Sequence, residues 1–123
     1  MNINTKATNM ELTQPIKDYI EKRMLGLSKF GNSEEAEITA RVEVGKITKH
    51  HRTGDVFRAE IQISHPNYEK NLRAVAECDD LYAAIDKARE QMKRELGETK
   101  DKRKSLVKKG ARLFKKIILF WHE

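Results

Sequence analysis

Arg89, Lys93, Lys100 and Lys104 are separated by four, seven and four residues, a spacing that sets them in one row on a helix. Lys87 and Arg94, seven apart, form a second row. Phosphates along an RNA groove need several cationic donors held in fixed register. A rigid helix supplies that register, and Arg can grip a phosphate with two parallel hydrogen bonds. The same segment carries Asp86, Glu90 and Glu98, which would neutralise these cations in surface ion pairs. Spacing alone leaves both readings open. Lys22, Arg23 and Lys29 lie in an earlier helical segment and extend the patch if both helices cover one face of a sheet. Such a surface reads folded RNA by shape and phosphate rather than by base edges.

No other group of residues reads as a reaction centre. There is no Gly-rich phosphate loop and no GxSxG. His50 and His51 are adjacent, and neighbours on a strand point to opposite faces, which makes a poor chelate. His65 and His122 stand apart from them. With one cysteine and no HxxxH spacing, neither a metal nor a cofactor is expected. Cys78 reads as a small core residue. The acidic pairs Glu34-Glu35 and Asp79-Asp80 read as caps. Tyr19, Phe30 and Phe57 read as core or helix-packing residues, because no strand carries the Gly-Phe-Gly-Phe pattern of a base-stacking sheet. The chain is expected to bind rather than to catalyse.

The elements that must position the basic rows follow from periodicity. Residues 1–7 alternate, with Ile3, Thr5 and Ala7 on one side, and read as a strand. Thr13 offers an N-cap and Pro15 fits a first turn. Ile16, Tyr19, Ile20, Met24 and Leu27 then recur at helical spacing, which predicts a helix to about Phe30, ended by Gly31-Asn32. Ile38, Ala40, Val42 and Val44 alternate with polar residues, as do Phe57, Ala59, Ile61 and Ile63. The loop between these runs holds Thr53-Gly54-Asp55, so they form a hairpin. After a turn at His65-Pro66-Asn67, Leu72, Ala74, Ala76 and Cys78 form the inner face of a fourth strand. Asp79 and Asp80 then open a long helix, from about 80 to at least 100, with the apolar stripe Leu81, Ile85, Ala88, Met92 and Leu96. Gly97 weakens this helix without ending it. The order is β-α-β-β-β-α. The economical fold is α+β: a two-layer sandwich of one four-stranded sheet with both helices on one face and the other face polar.

The chain has 123 residues, enough for one domain. Its net charge is +6, unevenly spread. Residues 1–101 carry 17 Lys and Arg against 18 Asp and Glu, whereas residues 102–123 carry eight cations against Glu123 alone. A basic tail on a nearly neutral body points to a polyanionic partner, nucleic acid or an anionic membrane. The longest apolar run, 117–121, is far short of the roughly 20 residues of a membrane span. The first residues have no signal-peptide pattern. A cytoplasmic protein is expected.

Glu11-Leu12-Thr13, the helix Tyr19-Ile20-Glu21-Lys22-Arg23 with Leu27 and Phe30, and above all Asp80-Leu81-Tyr82-Ala83-Ala84-Ile85-Asp86 resemble the ribosome hibernation-promoting factor family, which includes the ribosome-associated inhibitor and the sigma-54 modulation protein. Arg94-Glu95-Leu96 and Lys100-Asp101-Lys102 match its second-helix pattern. The resemblance covers residues 1 to about 104. It implies a fold similar to a double-stranded-RNA-binding domain. It also implies a non-enzymatic factor in the channel of the small ribosomal subunit where messenger and transfer RNA sit, silencing translation in stationary or stressed cells. The implied partners are that subunit and its rRNA, with ribosomal proteins as further contacts and a monomer when free. Arg23, Arg94, Lys100 and Lys102 match basic positions of the family and inherit an RNA-contact role. Gly26 and Gln91 stand where the family commonly has Lys, and Lys87, Arg89 and Lys93 are candidates to compensate. The family's long members carry a separate dimerisation domain, for which this chain is too short.

Residues 105–123 form a basic amphipathic tail following the domain at 1–104. Leu106, Gly110, Leu113, Phe114, Ile117, Ile118 and Trp121 fall on one helical face, opposite Lys108, Lys109, Arg112, Lys115 and Lys116. The tail could fold back on its own domain, insert into a groove of ribosomal RNA or protein, or lie on a membrane. The ribosomal groove is the preferred reading. The competing function is a membrane-surface or protein-interaction module acting through this tail.

Overall fold

The computed structural model describes residues 1–27, 38–48, 54–65 and 70–99. Lys29, Phe30, Glu34, Glu35, His50, His51 and the whole segment from Lys100 to Glu123 lie outside them, so the expected end of the first helix at Gly31-Asn32 and the amphipathic tail do too. The described elements are β1 (Asn2–Thr8), α1 (Gln14–Leu25), β2 (Thr39–Ile47), β3 (Val56–Ser64), β4 (Leu72–Cys78) and a helix at 81–99, α2. The sheet order is β1-β2-β3-β4. β1 pairs parallel with β2, as a β-α-β crossover requires, and the other two pairings are antiparallel.

Alternation in each strand becomes a division between sheet faces. Ala40, Val42, Val44, Ala59, Ile61 and Ile63 are each no more than 2% exposed, and Ala74 and Ala76 are also buried. Against them pack Ile20, Met24 and Leu27 from α1 with its following turn, and Leu81, Ala84, Ile85, Ala88, Met92 and Leu96 from α2, in one continuous core. Both helices therefore cover the same sheet face. Cys78 is half-buried at its edge. His65, at the end of β3, is buried, which removes it from the surface.

The helix ends show where local signals and structure part. Asp80 starts α2 as expected: its Oδ1 accepts the Tyr82 N–H at 3.3 Å, and its carbonyl accepts that of Ala84 at 3.0 Å. Thr13 occupies the N-cap of α1, but its side chain makes no capping bond; its carbonyl accepts from Lys17 N–H at 3.0 Å. α1 ends at Leu25, earlier than the periodicity predicts. The Leu27 N–H bonds to the Met24 carbonyl at 2.9 Å, a tighter turn than the α-helix, around Gly26. Glycine is poor at holding a helix, so the turn tightens there while Leu27 still reaches the core.

The open sheet face is polar, and its register sets Glu43 directly across from Glu60. Like charges opposite one another destabilise a sheet. Here Thr8 donates to Glu43 at 2.9 Å, and Glu60 gathers Arg73 at 2.8 Å, Arg58 at 2.9 Å and Gln62 at 3.0 Å. The Arg73 hydrogen bond, aided by the one from Arg58 and opposed by burial, holds the Glu60 carboxyl below its ordinary range. A carboxyl with a lowered folded pKa stabilises above its unfolded value and loses that contribution as pH falls through the folded one. Glu60→Gln should therefore cost about 1 kcal/mol at neutral pH. Urea unfolding at successive pH values should show the gap to the parent chain closing below the ordinary glutamate range.

Candidate nucleic-acid interface

The two helices meet along a seam formed by one face of each. From Tyr19 to Gly26, α1 and its cap meet α2 from Tyr82 to Arg89 in matching order, so the helices run side by side in the same direction. Tyr19 and Tyr82 pack edge to face, with centroids 4.8 Å apart and ring planes at 88°. The Tyr19 hydroxyl donates to Asp86 Oδ1 at 2.6 Å. This bond to a carboxylate, with burial adding to it, raises the Tyr19 pKa above its ordinary value. Arg23 Nε lies 2.9 Å from the same Asp86 oxygen. Its N–H is not aligned for a hydrogen bond, so the contact is an ion pair. One turn further on, Arg89 Nε donates to the Arg23 carbonyl at 3.0 Å, and Arg89 Nη1 pairs with Glu90 at 3.0 Å.

The cations of the first row are thus placed differently from one another. Arg89 is on the seam with its side chain only 13% exposed, committed to Arg23 and Glu90. Its guanidinium covers Gly26: a Cβ there would lie 3.0 Å from Arg89 Nη2, so a side chain at 26 would require the guanidinium to shift by a few tenths of an ångström. Lys93 is half-buried and engaged in an interaction of its own. Lys22, Lys87 and Arg94 are exposed and have no ion-pair partner among the described residues. Lys22 and Arg94 lie on the outer surfaces of the two helices. Lys87 is turned about 100° around α2 from Asp86. Arg23 is intermediate, a third of its side chain open to solvent beside Asp86. Lys29, Lys100, Lys102, Lys104 and the tail residues Lys108, Lys109, Arg112, Lys115, Lys116 and Trp121 lie outside the described residues. Both readings of the charge pattern therefore apply: Asp86 and Glu90 pair two arginines, whereas Lys22, Lys87 and Arg94 are unpaired among the described residues.

Helical spacing marks Tyr19 as a packing residue and Asp86 as a local neutraliser. Their bond joins residues 67 apart in the chain and has no periodic signature.

A four-stranded sheet with the apolar stripes of two parallel helices buried on one face defines an α+β domain, whose helix layer exposes Lys22, Lys87 and Arg94 beside Glu90, Glu95 and Glu98. The chain belongs to the family described as sigma 54 modulation protein / S30EA ribosomal protein, whose model matches residues 3–104. It is 29% identical over 112 residues to the ribosome hibernation promoting factor of Pseudomonas putida, covering 90% of this chain and 98% of that one. It is also 29% identical over 105 residues to the ribosome-associated factor Y of Haemophilus influenzae, covering 85% and 88% of the two chains. Among solved structures it resembles the N-terminal domain of Protein Y from Thermus thermophilus, with a TM-score of 0.66 and 32% identity over 80% of this chain and 99% of that one.

Proposed function

We propose that this chain is a ribosome hibernation factor that works without catalysis. It occupies the messenger and transfer RNA channel of the small ribosomal subunit and so silences translation during stationary phase or stress. It acts in the cytoplasm and is a monomer when free. The observation that carries the reading is the helix layer, where Lys22 and Arg94 stand exposed, without ion-pair partners among the described residues, on neighbouring parallel helices. Family membership over residues 3–104 supports the ribosome as the source of the phosphates. A rigid pair of helices suits a polyanion with fixed shape, and steric occupation needs no reacting group. Affinity dominated by phosphate contacts falls steeply with salt.

Sedimentation of the chain with purified small subunits through sucrose tests this. Co-sedimentation at low salt, declining steeply as salt rises, is the expected result, together with loss of protein synthesis in a purified translation system. Free protein remaining at the top of a low-salt gradient contradicts the reading. Anionic liposomes run in parallel separate it from the membrane-surface alternative, which requires flotation with the vesicles.

A further inference from the structure

A carboxylate in the middle of a phosphate-binding surface is electrostatically costly, because it repels the ligand and cancels a cation. Asp86 is such a group, and three observations show what it does instead. Its Oδ1 accepts the Tyr19 hydroxyl at 2.6 Å, which fixes the carboxylate across the seam. The same oxygen faces Arg23 Nε, a buried atom, while a third of the Arg23 side chain remains exposed. Among the described residues the guanidinium pairs with Asp86 alone, so the exposed part of Arg23 is left for a ligand. The backbone of Arg23 is tied as well, by the Arg89 hydrogen bond to its carbonyl at 3.0 Å.

Resting on the proposed RNA-binding function, we infer that Asp86 is a positioning residue. It pre-orients Arg23 to present the exposed part of its guanidinium to a phosphate, and Tyr19 keeps Asp86 in place. An arginine side chain loses much rotamer freedom when it is immobilised on a ligand. Fixing it beforehand removes that cost from binding. The ion pair thus gives up some charge attraction in return for geometry.

Charge and geometry predict opposite results for Asp86→Asn. This substitution raises the net charge by one, and a purely electrostatic surface would then bind RNA more tightly. Pre-orientation predicts weaker binding to purified small subunits, by about fivefold at near-physiological salt. Tyr19→Phe leaves the charge unchanged and should weaken binding by about twofold, through the same loss of order. The cycle with Arg23→Ala identifies the route: in that background Asp86→Asn should cause no further loss. Thermal unfolding of each variant accompanies the titrations, and Tyr19→Phe, the milder change, carries the comparison if Asp86→Asn lowers the unfolding temperature below the assay range. Equal or tighter binding by folded Asp86→Asn overturns the inference, as does a loss that persists without Arg23, or unchanged binding by Tyr19→Phe where that variant carries the comparison. Failure of the unsubstituted chain to bind small subunits overturns the ribosomal reading itself, and the inference with it.

Discussion

The double variant Lys22→Glu/Arg94→Glu should lose at least about 100-fold in affinity for small ribosomal subunits at physiological salt. One substitution lies on each helix, so the pair reverses the charge of the surface where α1 and α2 lie side by side. Both side chains are exposed and have no ion-pair partner among the described residues. Their replacement should change folding stability by no more than about 0.5 kcal/mol each. The net charge of the chain falls from +6 to +2. A matched control, Lys6→Glu/Lys70→Glu, makes the same change on exposed residues away from the helix layer. If long-range attraction alone held the complex, both variants would lose affinity equally. If the helix layer is the contact surface, the control stays within a fewfold of the parent chain. Filter binding of the three proteins to labelled subunits distinguishes the two cases.

Ending the chain after Lys104 should have an effect of similar size by a different route. The deletion removes Lys108, Lys109, Arg112, Lys115 and Lys116 with Glu123, and also takes the net charge from +6 to +2. If those five cations lie on phosphates, the logarithm of affinity should depend on the logarithm of salt with a slope shallower by roughly four. That loss approaches 100-fold at physiological salt and shrinks toward higher salt. The described core already joins both helices to the sheet, ending on α2 at Leu96. The shortened chain is therefore expected to fold, with its circular dichroism and unfolding temperature close to the parent's. Trp121, the only tryptophan, reports on the tail directly. Its emission should shift on addition of ribosomes and stay unchanged with anionic vesicles. A shift with vesicles alone would place the tail on membranes, and an unfolded truncated chain would place it in the domain's core.

Much of this architecture is legible in the sequence because burial on a sheet has period two. Ile38, Ala40, Val42 and Val44 are spaced at every second residue, and all four are buried. The α2 stripe Leu81, Ile85, Ala88, Met92 and Leu96 is equally plain, and all five are buried. With the element order settled, a shared helix face follows from having one apolar sheet face to cover. The end of α1 is less legible, because Gly26 and Gly31 are both plausible stops and the choice depends on where Leu27 meets the core. The seam is least legible. A helical row of cations shows that Arg89 and Lys93 share a face, but not that this face meets α1. Only the packed helices reveal that Arg89 is occupied with the Arg23 backbone, that Arg23 is paired with Asp86, and that Lys22 and Arg94 are exposed. These contacts span more than 60 residues of chain, beyond any local pattern.

Chemical probing of small-subunit rRNA, with and without saturating protein, is the most direct test of channel occupancy. Backbone protections are expected to cluster along the messenger and transfer RNA channel, to be absent with Lys22→Glu/Arg94→Glu, and to be accompanied by exclusion of transfer RNA from the subunit. Protections confined to the subunit's outer surface, with transfer RNA still binding normally, would contradict channel occupancy.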